Sequence, residues 1–109
     1  MASRLHFATK YQVEYSDDTF FGRGLIDFYY LLKSLGIDMS GTSVYDTEFD
    51  IPKEDWKLAL EELKSEKESK EINEALNDLG YSRSVMLGIF EKILNESDPK
   101  YDYVHISWY

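Results

Sequence analysis

Hydrophobic and polar residues alternate one by one from Leu5 to Tyr15. Leu5, Phe7, Tyr11, Val13 and Tyr15 fall on one face with Thr9 among them, and His6, Ala8, Lys10, Gln12 and Glu14 fall on the other. A period of two over this length predicts a strand with one buried face. Ser16-Asp17-Asp18-Thr19 ends it and supplies helix N-caps. Phe21, Leu25, Phe28, Leu32 and Leu35 then recur at the spacings of an amphipathic helix. Gly22 and Gly24 weaken its first turn, which puts the start of regular helix near Arg23. Gly36 before Ile37 suits a left-handed C-terminal cap, and Asp38 to Ser43 reads as a polar loop.

A second alternating run extends from Val44 to Ile51, with Tyr45, Thr47, Phe49 and Ile51 on one face and Asp46, Glu48 and Asp50 on the other. Pro52 closes this strand and fits the first turn of a helix, where its missing N–H costs nothing. Trp56, Ala59, Leu60 and Leu63 form that helix's apolar stripe, with Glu54 and Asp55 at the positive end of its dipole. Lys64 to Glu71 has no apolar residue, so it is a solvated helical turn, a kink or a loop. Ile72, Ala75, Leu76 and Leu79 form another stripe closed by Gly80. Ser82 or Ser84 caps a last helix carrying Val85, Met86, Ile89, Phe90, Ile93 and Leu94. After the Asp98-Pro99 turn, Val104, Ile106 and Trp108 face the core of a final strand, with Tyr103, His105, Ser107 and Tyr109 outward. The expected fold is α+β, in the order β-α-β-α-α-β. Three strands form a small sheet, with the helices packed mainly on one face. If the first two strands are adjacent and parallel, the helix between them crosses over right-handed.

Composition refines this picture. The 109 residues suit one domain, 1–109, and an aromatic content of 16% supplies enough apolar surface to fold. With no cysteine there are no disulfides, thiolate zinc sites or Cys nucleophile. That absence, the lack of a signal-like apolar run in Met1–Lys10 and the lack of a membrane-length stretch together predict a cytoplasmic protein, or a host-cytoplasmic one if phage-encoded. The net charge of −9 is concentrated: residues 1–42 and 79–109 each carry −1, whereas residues 43–78 carry −7. Such a field repels nucleic acid and anionic membranes and attracts basic partners.

Candidate chemistry is sparse. His6 and His105 are the only imidazoles, both on predicted outward strand faces, and no ligand spacing joins them to Glu14 or Asp102 in a metal site. Asp46, Glu48 and Asp50 imitate a calcium loop, but Ile51 and Lys57 occupy the positions where an EF-hand needs Gly and Glu. Phe21-Gly22-Arg23-Gly24 lacks the rest of any nucleotide-binding motif. No nucleophile elbow or acid/base pair stands out, so no enzyme activity and no cofactor are expected. The expected function is non-catalytic protein binding. In size and charge alone the chain resembles the small acidic proteins with which phages and mobile elements block restriction or CRISPR nucleases. That implies an inhibitor docking on a basic nucleic-acid-binding surface. The expected contact residues are Asp46, Glu48, Asp50, Glu54, Asp55, Glu61 and Glu62, with Tyr103 and Tyr109. The alternative is a structural or regulatory interaction domain, a homodimer using the Tyr-rich sheet face.

Overall fold

A computed structural model of the chain describes residues 4–10, 14–16, 20–21, 24–65 and 69–109. Among them the elements are β1 (Leu5–Lys10), β2 (Glu14–Tyr15), α1 (Leu25–Ser34), β3 (Glu48–Pro52), α2 (Lys53–Lys64), α3 (Lys70–Leu79), α4 (Arg83–Glu96) and β4 (Tyr103–Trp108). The class is α+β, as the alternating and helical stripes predict. The sheet, however, has four strands in the order β2-β1-β4-β3, and every neighbouring pair is antiparallel.

Three expectations are corrected. The alternation over 5–15 belongs to two strands, β1 and β2, that pair antiparallel with Ala8 opposite Tyr15. Tyr11 and Val13 lie outside the described residues, as do the proposed caps Asp17, Asp18 and Thr19 and the proposed helix start at Gly22-Arg23. The first two predicted strands, now β1 and β3, are not neighbours, because β4 lies between them. Leu5, His6 and Phe7 pair with Trp108, Ser107 and Ile106 on one side of β4, and Glu48 to Pro52 pair with Ser107 to Tyr103 on the other. The third correction concerns Val44–Thr47, which alternate in sequence but do not enter the strand. The Asp46 carboxylate accepts from the Ser43 N–H at 2.8 Å, and the Ser43 hydroxyl accepts from the Tyr45 N–H at 3.2 Å. These local side-chain bonds satisfy the backbone as a turn and outcompete the sheet ladder. Tyr45 is accordingly exposed instead of facing the core.

The helices begin and end for the reasons their sequences give. The Ser69 and Ser82 hydroxyls accept from the N–H groups of Ile72 and Val85, capping α3 and α4. Gly36 and Gly80 adopt φ of 91° and 81°, the left-handed conformation that glycine enters without a Cβ penalty. Within Lys64–Glu71, α2 stops at Lys64, Ser65 is extended, and α3 starts at Lys70, so the charged stretch separates two helices.

The helices pack on the sheet face that carries Leu5, Phe7, Ile51, Val104, Ile106 and Trp108, all buried. Trp56 of α2 stacks on Phe90 of α4 with ring centroids 4.5 Å apart, and its indole N–H donates to the Phe90 carbonyl at 3.0 Å. Phe28 of α1 links this pair to the sheet, lying 6.1 Å from Phe90 and 6.0 Å from Trp108. α1 also closes tightly on α3. A Cβ on Gly24 would lie 2.8 Å from Leu79 Cδ2 and 3.0 Å from the Phe21 carbonyl oxygen. Gly24→Ala should therefore destabilise the protein by about 1–3 kcal/mol. Gly88→Ala, inside α4 with open space around it, should instead stabilise by about 0.5–1 kcal/mol. Urea denaturation of both variants checks the pair of signs, and equal effects would contradict this packing.

Candidate functional site

The face of the sheet away from the helices gathers polar and aromatic side chains from three strands. Pairing sets them in rows: His6, Ser107 and Glu48 are level with one another, and Asp50 is level with His105. Alternation predicts His105 outward and partly exposed; it does point away from the apolar core, but it is only 4% exposed. β4 is central, so both its flanks are occupied and the ring is enclosed from the sides. Its Nδ1 lies 2.7 Å from Asp50 Oδ1, its Nε2 lies 3.6 Å from Glu48 Oε1, and the Tyr15 ring covers it at 5.8 Å. The Ser107 hydroxyl donates to Glu48 Oε1 at 3.4 Å. Beside this group, His6 and Tyr109 stack with ring centroids 3.6 Å apart, and Tyr15 meets Tyr109 edge-on at 6.0 Å. Burial, followed by the carboxylate of Glu48, then Tyr109 and the carboxylate of Asp50, pushes the Tyr15 phenol above its ordinary value.

His6 and His105 thus lie on paired strands, as their predicted positions allow, but their rings serve different partners. His6 Nδ1 is 3.0 Å from the Arg4 carbonyl, whereas His105 Nδ1 is held by Asp50. Among the described residues, no group of three or more His, Asp or Glu side chains is placed to hold a metal ion.

The nine predicted contact residues divide among three places. Glu48, Asp50, Tyr103 and Tyr109 share the outer sheet face, where both tyrosines are about half exposed. Asp46 leaves the expected acidic row because it closes the turn before β3. Glu54, Asp55, Glu61 and Glu62 line the solvent side of α2 around Leu58, which is 62% exposed. They lie three and four residues before and after Leu58, which places all five on one helical stripe, opposite buried Trp56, Ala59, Leu60 and Leu63.

A further acidic surface is built from residues outside the nine predicted contacts. α1 and α3 form a groove of about 470 Å³, lined by Asp27, Tyr30, Lys33 and Ser34 from one helix and Glu71, Glu74, Ala75 and Asp78 from the other. Four carboxylates face one ammonium there, and Tyr30 and Ala75 give it apolar surface. Glu62 borders the adjoining hollow, which shares Ser34 with the groove, so the α2 acids approach its end. The signal lay in the spacing: Glu71, Glu74 and Asp78, like Asp27, Tyr30 and Ser34, recur at i, i+3 and i+7 on one helix face. Among the described residues, no helix is long and apolar enough to cross a membrane.

Compared with protein-family models, curated proteins and solved structures, the chain matches none.

The Asp50–His105 contact is short and the ring enclosed, whereas Glu48 is 62% exposed and farther from the ring. Asp50→Ala should therefore cost about 1–3 kcal/mol of stability by leaving a buried polar group short of a partner. Glu48→Ala should stay within about 0.5 kcal/mol. Equal losses in urea titrations of the two variants would contradict this asymmetry.

Proposed function

We propose that this chain is a non-catalytic protein-binding domain whose α1–α3 groove receives a basic segment of a protein partner. The observation that carries the reading is the groove's lining, with four carboxylates around a floor that includes Tyr30 and Ala75. Carboxylate walls complement Lys and Arg side chains, and an aromatic ring with an open face accepts guanidinium or ammonium groups. The overall charge of −9 and its concentration in residues 43–78 add long-range attraction for such a segment. Glu61 and Glu62 on α2 extend the negative potential toward the adjoining hollow.

Proteins that bind nucleic acid present basic surfaces of this kind. Occupying one makes the domain a competitor of nucleic acid, in the manner of an acidic mimic that inhibits restriction or CRISPR nucleases. Direct binding of nucleic acid or of an anionic membrane is disfavoured by the same charge.

Affinity purification on the immobilised chain tests the reading. The expected partner is a basic nucleic-acid-binding protein that is displaced by duplex DNA and released between about 0.15 and 0.5 M salt, where screening shortens the reach of charge. The triple variant E71K/E74K/D78K, all at exposed positions, should bind it at least tenfold more weakly. Retention of the same partner by the triple variant, or by the unaltered chain at about 1 M salt, would contradict the proposal.

A further inference from the structure

The outer sheet face has its own chemistry, separate from the groove. Its exposed aromatic surface lies along the middle strand, with Tyr103 at 48% and Tyr109 at 59% exposure. Its charges are segregated to the two sides of that strand. On the β1 side, Arg4 is exposed, and its backbone exchanges hydrogen bonds with Tyr109 at 3.1 and 3.2 Å, which places it level with that residue. On the β3 side are Glu48 and Asp50, with Asp46 just before them. Lys10 is also on the β1 side, but it is opposite Glu14 in the β1–β2 pair, so the two offset each other locally. Among the described residues Arg4 makes no ion pair, and of the two strand carboxylates Glu48 is the more exposed, at 62%.

A face with an exposed arginine on one side, carboxylates on the other and an exposed tyrosine at each end of the strand between them is complementary to itself. From this we infer that the outer face of the sheet binds a second copy of the same chain, related by a twofold axis running parallel to β4 between the two sheets. Such a rotation keeps each residue at its level along the strands and exchanges the β1 side for the β3 side. The rows then decide the contacts. Arg4 is level with Asp46, since Tyr109 pairs with Arg4 on one flank of β4, while on the other flank Thr47 is opposite Trp108, one residue before Tyr109. In the dimer Arg4 therefore comes over Asp46 of the second copy, with Glu48 two residues farther along, and the contact occurs twice. Tyr109 comes over Tyr109 and Tyr103 over Tyr103, as an isologous interface requires. The His6–Tyr109 stack holds the ring in place before association, which reduces the ordering cost of binding. His105 and Ser107 form a buried layer beneath, already supplied with partners by Asp50 and Glu48.

The face is small. Four strands about 4.8 Å apart and about six residues deep at about 3.4 Å each give a footprint on the order of 400 Å². The two copies together bury about 800 Å², below the roughly 1,200 Å² of a standard specific interface, so the dimer is a weak, transient one. The inference does not depend on the groove, which lies between two helices of the other layer. It adds that each assembly presents two grooves.

Sedimentation equilibrium of the full chain from about 5 to 500 µM is the test, a range that extends to weak association. The expected result is a monomer–dimer equilibrium that Tyr109→Ala, Arg4→Glu and Glu48→Lys each weaken at least tenfold. The double variant R4E/E48K, which swaps the pair within each copy, should recover most of the loss. A monomer throughout the range would overturn the inference and leave the face to a different protein. So would a dimer that none of the single variants weakens, a double variant no tighter than either single charge change, or a series of larger species, which a closed twofold contact excludes.

Discussion

Everything in this fold depends on the last strand entering the middle of the sheet. β4 supplies a pairing edge to β1 on one side and to β3 on the other, so those two strands, distant in sequence, are joined through it. Its inward residues Val104, Ile106 and Trp108 close the core against the helices, and its outward residues His105 and Ser107 anchor the opposite face. Loop closure over this distance is entropically costly before the contacts that offset it can form. Buried aromatic surface, above all the Trp56–Phe90 stack and Phe28 beside Trp108, supplies that compensation.

The same insertion explains why the two faces of the sheet differ. A central strand has no solvent-facing flank, so a polar residue on it is enclosed by its neighbours even where no helix covers it. Asp50 and Glu48, brought alongside by β3, satisfy His105 and Ser107. Asp50, at 2.7 Å from the ring, thereby becomes structural, whereas Glu48 stays 62% exposed. The acids of α2 and α3 face no such demand. They project from helices whose opposite sides are buried, and the ion pairs they make, Glu61 with Lys64 and Glu74 with Lys70, are exposed ones within a helix.

Much of this was legible in the residue pattern, and the exceptions have identifiable causes. Hydrophobic stripes located the four helices of the described residues, and Ser82, Gly36 and Gly80 were legible at their ends, whereas the Ser69 cap was hidden in a charged stretch open to several readings. Alternation located β4 and sorted its inward residues correctly. It could not reveal that Leu5–Tyr15 holds two strands, because a period of two carries no information about chain direction. Nor could it separate Val44–Thr47 from β3, since the Ser43 and Asp46 side chains compete for the backbone there. The acidic row was legible only as charge. Which acids meet a histidine, which close a turn and which line a groove depends on contacts between elements, and sequence spacing does not encode those contacts across elements.

The central position of β4 can be measured directly by native-state amide hydrogen exchange. The N–H groups of His6 and Ser107, which join β1 to β4 in the middle of the sheet, should be among the slowest to exchange, opening only with global unfolding, while that of Trp108, which donates to Thr47 on the β3 side, and those of β2 open earlier. Exchange from His6 and Ser107 as fast as from β2 or β3 would contradict a fold organised around the last strand.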